Sequence, residues 1–480
     1  MDMLIDGQWT AASDGGTYAV LNPATEITIA TVPRATQADV DRAVAAAQNG
    51  AARMAALSAF RRYEILEAVA RRIESNQSVL GELLCRENGK RIGETTAEVG
   101  VAARIFRGYA EEAKRLFGRS VPLNSIPGRE RSIAITNRYP LGVIAAIVPF
   151  NYPVELWSHK VAGGLAAGNA VITKTPEDCP LAVIEISKYL NDLGIPLGGH
   201  QVLTGGREVG EALVRAPGVQ MVAMTGSTAA GKRILEVAAQ TLKKVHLELG
   251  GNDATIVCED ANIATTADAL VAGRFTSGNG QICCAVKRVL VARPIYDRLL
   301  TELTSRTRAL RVGDPLNPAT DVGPLINRLG AERVEAQVKQ AVADGATVVI
   351  GGTRRDNFYE PTILTGVTAG TLAFTDEIFG PVLPLIPFDD FEAALALAND
   401  SPFGLQAAIF TNDLKKVMRA YEVLDVGTVV VNHTTAVRVE TLPFGGNKGS
   451  GNGREGIHDT LHEMTKEKTL LLHEIFGGAI

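Results

Sequence analysis

The sequence predicts an α/β protein built from two parallel-sheet units, on three observations. From Val143 onward, short apolar strand-like runs alternate with helical stretches, the pattern of a parallel sheet with crossover helices. A second alternating series begins at Asp253, after the glycines that end the first. At 480 residues the chain exceeds one ordinary core, so two or three domains are expected.

Residues 38–116 are Ala- and Arg-rich, with apolar residues such as Ile65, Val69 and Ile73 at helical spacing. They are expected to be mostly helical and to cover the first sheet. First-series strands are expected at VIAAIVPF (143–150), NAVITKT (169–175), HQVLTG (200–205), VQMVAMTG (219–226) and KVHLELGG (244–251), with helices near 154–167, 180–193, 207–215 and 229–240. The second series runs through DATIVCED (253–260), a long helical region to Arg274, the turn SGNGQ and KRVLVAR (287–293). It continues with a charged helix near 296–310, then ATVVIGG (346–352), PVLPLIPF (381–388), LQAAIF (405–410) and TVVVNH (428–433). Two strand-like stretches stand apart, RERSIAITNRYP (129–140) and KEKTLLLHEIF (466–476). Two strands alone are marginal in water, so these are expected to pair with each other and with a partner chain, in a homodimer or a dimer of dimers.

Composition narrows the function classes. Lys and Arg (48) and Asp and Glu (53) are scattered at a net charge of -5, which advertises neither nucleic-acid binding nor an acidic tail. Small molecules are the expected partners. The longest apolar stretch, Leu141–Phe150, is too short to span a bilayer, and the first residues lack a signal-peptide pattern, so a soluble cytoplasmic protein is expected. The five cysteines, Cys85, Cys179, Cys258, Cys283 and Cys284, have neither disulfide-framework nor zinc-site spacing; reduced thiols and no metal are expected.

Taken singly, the candidate site residues are ambiguous. A lone Cys283 is more readily a small core residue than a nucleophile, and the same caution covers Glu248. Position changes the odds: Glu248 closes an apolar strand before Gly-Gly, and Cys283 follows a glycine-rich turn, the kinds of place where α/β proteins build sites. Gly278 and Gly280 permit backbone conformations closed to other residues, leaving amides near a substrate. Asn151 of PFNYP can donate its side-chain amide to an oxyanion or simply make a turn. MTGSTAAGK (224–232) is a strand, turn and helix start able to hold a phosphate, although it is not GxGxxG. Lys174 and Glu177 suit ribose hydroxyls, or a solvated loop.

Together PFNYP, KTPE, MTGSTAAGK, LELGGND, GQICC, EIFGPVLP and PFGGNKGSGNGREG resemble the aldehyde dehydrogenase superfamily in order and spacing, over nearly the whole chain. The resemblance implies an aldehyde dehydrogenase-like α/β fold. Its Rossmann-type cofactor domain is expected at residues 1–122 and 142–247, with 434–459 returning to it, its α/β catalytic domain at 248–433, and a small β oligomerisation segment at 123–141 and 460–480. It implies Cys283 as nucleophile, Asn151 as oxyanion donor and Glu248 as general base, with Cys284 a packed neighbour. For the cofactor it implies Lys174 and Glu177 on the adenosine ribose, Gly226 and Ser227 at the pyrophosphate, and Glu377, Phe379 and Phe150 near the nicotinamide end. NAD is expected ahead of NADP, since Glu177 would repel a 2′-phosphate. Tyr152, Leu156, His159, Ile282, Arg438 and Phe444 are expected to line the substrate tunnel, with Arg107 a further anion-binding candidate.

Two cationic groups, His159 and Arg438, in an otherwise apolar tunnel point to a small aldehyde bearing a carboxylate, phosphonate, sulfonate or hydroxyl. The chain resembles subgroups acting on lactaldehyde, succinate semialdehyde, sulfolactaldehyde and phosphonoacetaldehyde. The alternative arrangement has Arg438 turned outward to Glu440 and His159 capping a carbonyl, with simple aliphatic or aromatic aldehydes as substrates. A cysteine hydrolase using His246 or His433, and a non-catalytic relative, are the rival functions.

Overall fold

The computed structural model describes residues 1–473. Its first sheet has eight strands in the order Gln8–Thr10, Met3–Ile5, His200–Leu203, Ala170–Lys174, Val143–Ile147, Met221–Thr225, Lys244–Glu248, Gly451–Asn452. The five expected strands form its parallel centre, and the outer pairings are antiparallel. Register aligns their carboxyl ends, Ile147 opposite Lys174 and Thr225 opposite Glu248. From Val143–Ile147 the chain first builds outward through Ala170–Lys174 and His200–Leu203, then returns to add Met221–Thr225 on the other side. That reversal opens the crevice in which doubly wound sheets bind ligands.

The first two strands of the chain escape the periodicity reading because each has three residues. Their signal is the Asp6-Gly7 turn between Ile5 and Gln8, with both φ angles left-handed (49° and 75°), the geometry of a two-residue hairpin.

The second sheet orders Thr347–Ile350, Thr362–Thr365, Val382–Phe388, Arg288–Ala292, Ala254–Val257, Gln406–Phe410 and Thr428–Val431, parallel except at its first, antiparallel pair. The helix expected to reach Arg274 is α-helical only over Ile263–Val271 and widens into a π turn at Ala272–Thr276. The close approach of Gly273 to Thr434 and the buried Arg274 guanidinium, donating to the Ile378 and Val382 carbonyls, tie that turn to the sheet.

Helices Ala59–Ser75, Ile92–Ala113 and Pro153–Ala166 pack an apolar cluster around Phe106, Trp157 and Val161 against the first sheet. A third sheet pairs Thr465–Leu472 antiparallel with Ile133–Pro140, and Ser120–Pro122 adds a strand that the sequence did not announce. Residues 129–132 form a turn instead of the expected strand start, and residues 474–476 of the other expected strand lie outside the described residues. This small sheet exposes Val121, Ile135, Tyr139, Leu470 and Leu471. No described helix is long and apolar enough to cross a membrane.

Candidate active site

The strand Val143–Ile147 runs into the PFNYP turn, and Pro153 opens the helix Pro153–Ala166, a first-turn position where its missing N–H costs nothing. Two buried ties hold this turn. Lys90 donates to the Asn151 carbonyl at 2.6 Å and to Glu98 at 2.5 Å, while Glu98 accepts from the backbone amides of Val154 and Glu155. The backbone is thus fixed while the Asn151 side-chain oxygen, also buried, has no partner.

Across the crevice, Gly278, Asn279 and Gly280 are all left-handed, and a side chain on Gly280 would strike the backbone of Gly380. Asn279 stabilises its unfavourable conformation with three hydrogen bonds: two donated to the carbonyls of Gly89 and Pro324, one accepted from Gly323 N–H. Glu94 links the two walls by accepting from Tyr152 Oη (2.5 Å) and Gly278 N–H (2.7 Å).

Asn151, Tyr152, Leu156, Ile282, Cys283, Arg438 and Phe444 converge on one cavity of about 180 Å³, below the roughly 300–1,000 Å³ of pockets for drug-sized ligands. Cys283 is half-buried; Cys284 is buried and also borders the cavity. A hydrogen bond donated by Cys283 to the Cys284 sulfur, then burial, pushes the Cys283 thiol well above its ordinary range, while the same bond pulls Cys284 down. The nearby Lys287 ammonium opposes the rise at Cys283. Glu248 closes its strand outside the cavity wall; both carboxylate oxygens are buried without a hydrogen-bond partner, and burial raises its pKa. His246 Nε2 lies 3.6 Å from it.

Two expected anion binders are corrected. His159 is fully buried, outside the cavity wall and bonded through Nδ1 to Tyr109 Oη at 3.1 Å. Burial and the Arg438 charge push its pKa far down, so it is neutral. Arg107 faces the neighbouring helix, held by both oxygens of Glu74 (2.8 Å each) and by Glu67. Arg104, one turn earlier, borders the cavity and pairs with Glu440 at 2.8 Å.

Arg438 does face the cavity. Its guanidinium lies over the Phe444 ring, and Nη2 donates to Glu455 Oε1 at 2.6 Å. The second Glu455 oxygen accepts from Lys160 at 2.8 Å, and Lys160 also donates to Thr225. Arg438 Nε is buried without an acceptor, 3.6 Å from Glu155. Sequence reasoning missed Glu155, Lys160 and Glu455. The signal for Glu155 and Lys160 was a carboxylate and an ammonium inside the apolar helix VELWSHKVAGGLA, groups that need partners when buried.

A second cavity, of about 500 Å³, opens at the carboxyl end of the first sheet, bordered by Lys174, Gly206, Arg207 and Ser227. Ser227 caps the twelve-residue helix Thr228–Ala239 and Gly226 precedes it, leaving a helix amino terminus suited to a pyrophosphate. Glu177 is solvent-accessible, with Arg34 at 2.9 Å. Toward the other cavity, Glu377 accepts from Lys287 (2.7 Å) and Gly251 N–H, and Phe379 meets Phe150 edge-on. These groups suit a dinucleotide: a helix terminus for its phosphates, carboxylates for its riboses, and rings near the reacting end.

The family model for the aldehyde dehydrogenase family matches residues 9–470. Among curated proteins, 3-sulfolactaldehyde dehydrogenase of Priestia megaterium is 40% identical over 472 residues, 98% of each chain. Aspartate-semialdehyde dehydrogenase 1 of Pseudomonas canavaninivorans is 37% identical over 95% of this chain and 96% of its own. A crystal structure of an E. coli NADP dependent enzyme superposes with a TM-score of 0.95 at 34% identity, covering 98% of each chain. Family match, shared fold and near-complete coverage agree: this chain belongs to the aldehyde dehydrogenase family and is an NAD(P)-dependent oxidoreductase.

Proposed function

We propose that the protein oxidises a small anionic or hydroxylated aldehyde to its carboxylic acid. The observation that carries this is Arg438, a half-buried cation whose buried Nε has no partner, in the same small cavity as Cys283 and Asn151. The names of two relatives, acting on a sulfonated and a carboxylated aldehyde, support it.

In this mechanism the Cys283 sulfur, once deprotonated, attacks the aldehyde carbon, and the Asn151 amide receives the oxyanion. A nicotinamide cofactor, when bound, would supply the acceptor for the hydride that leaves the substrate carbon held on Cys283 as its oxyanion collapses. The Cys283 thioester remains. Glu248 takes a proton from water, the hydroxide adds to the thioester, and the carbon–sulfur bond breaks to release the acid. Lys174, Glu177, Gly226 and Ser227 would hold the adenosine half of the cofactor, and Glu377, Phe379 and Phe150 the nicotinamide half. A cysteine hydrolase fits less well, since the family model and the curated relatives are dehydrogenases.

The test compares succinate semialdehyde with butanal. Arg438→Met should lower kcat/KM for the anionic aldehyde by roughly 10- to 150-fold relative to butanal, the 1.5–3 kcal/mol of a charged hydrogen bond. Equal losses on both aldehydes would remove the anion-binding assignment.

NAD is the proposed cofactor, with NADP also accepted, because the Glu177 charge that would repel a 2′-phosphate is paired with Arg34. Arg34→Ala should weaken NADPH binding, read by cofactor fluorescence, by roughly tenfold, about the worth of one charged hydrogen bond, and NADH binding far less. Parallel changes for both cofactors would refute this role. A second copy of the chain is the proposed cover for the apolar face of the small sheet.

A further inference from the structure

Glu155 occupies the third position of the helix Pro153–Ala166 and shares the cavity wall with Cys283, Asn151 and Arg438. Its Oε1 lies 3.6 Å from Arg438 Nε, within ion-pairing range but too far for a hydrogen bond. The surrounding charges isolate this contact. Glu455 is committed to both Arg438 and Lys160, so these three groups carry one net positive charge. The other charged groups facing Glu155 cancel in pairs, Lys90 with Glu98 and Arg104 with Glu440. Glu248 also faces Arg438, but burial raises its carboxyl, and the guanidinium keeps a positive charge that an anion can balance. An ionised Glu155 and a substrate anion would therefore compete for the same Arg438 edge, in a partly enclosed cavity where water screens the repulsion between them only in part.

Resting on the assignment of Arg438 as the anion site, we propose that Glu155 is its built-in competitor: ionised, it holds Arg438 against anionic aldehydes, and protonated, it releases the guanidinium, so anion binding takes up a proton at Glu155. Glu155 then determines which substrates enter and at what pH. Burial raises its carboxyl to about 7, so both forms are populated near neutrality. The sign follows from that raised pKa. Glu155 is neutral below about pH 7, where anion affinity is highest, and its ionisation above pH 7 weakens binding by about tenfold between pH 6 and 8.

The experiment titrates the full-length protein calorimetrically with 1-propanesulfonate, which keeps one negative charge throughout, at pH 6, 7 and 8. Two buffers of different ionisation enthalpy count the protons. About tenfold weaker binding at pH 8 than at pH 6, with proton uptake at pH 8, is the expected result. Glu155→Gln should bind with the pH 6 affinity at every pH. A flat affinity and no proton uptake in the parent protein would overturn the proposal without needing any variant. A Glu155→Gln protein that kept the parental pH dependence would do the same. Arg438→Met separates the two assignments: if binding vanishes in it while the parent titrates flat, only the role of Glu155 falls. If Arg438→Met binds like the parent, the anion site and the competitor fall together.

Discussion

Cys283→Ala protein should lose at least ~10³-fold of its aldehyde-dependent NAD(P)H production, because removing a covalent nucleophile leaves only binding and orientation to act on the barrier. Cys284→Ala should stay within about tenfold of the parent, a change of less than about 1.4 kcal/mol in barrier. The contrast matters because both sulfurs border the cavity. Removing Cys284 takes away the hydrogen bond that most raises the Cys283 pKa, so the thiol of the variant should titrate at lower pH than in the parent. Alkylation by iodoacetamide, followed by mass spectrometry as pH rises, reads this directly. A Cys283→Ala enzyme that still reduced cofactor with aldehydes would eliminate the thioester mechanism, and equal losses in both variants would eliminate the distinction between the cysteines.

Glu248→Gln should slow turnover by roughly 10²–10⁴-fold through loss of the general base. Its effect should fall on one step. In the proposed mechanism cysteine attack and hydride departure precede the action of Glu248, so the variant should give a burst of about one NAD(P)H per site and then stall with acyl groups on Cys283, visible by mass spectrometry. Burial raises the Glu248 pKa above the ordinary carboxylate range, so deacylation in the parent should be fully active only above that raised value and fail as pH falls through it. A variant without a burst, slowed equally before and after hydride transfer, would place Glu248 elsewhere in the mechanism.

Much of the fold was legible because its main signals are local. Strand runs such as Val143–Ile147 and Met221–Thr225 are continuously apolar, as parallel strands buried on both faces must be, and helix spacing set the elements between them. The strands Met3–Ile5 and Gln8–Thr10 were not legible, since three residues carry no measurable period. The widening at Ala272–Thr276 was missed because the groups packed on it, such as Thr434 against Gly273, lie far along the chain. The family resemblance likewise implied a shared site for Asn151 and Cys283 before any distance was known. Arg107 and His159 failed for one geometric reason: a residue's place along a helix does not tell which neighbour it meets. Arg104 and Arg107 sit one turn apart, yet one borders the cavity and the other is taken by Glu74.

By itself, then, the amino-acid order determined the two sheet series, the turn chemistry around Cys283 and the set of groups able to react, because backbone preference and hydrophobic periodicity act over a few neighbours. Only the tertiary structure decided the charge states and partners of those groups. Glu455 is brought between Arg438 and Lys160 from 17 and 295 residues away, His159 is enclosed and kept neutral, and Glu155 is set against the free edge of Arg438. Coulomb energy and desolvation depend on distance through space and on exclusion of water, and neither is encoded by separation along the chain.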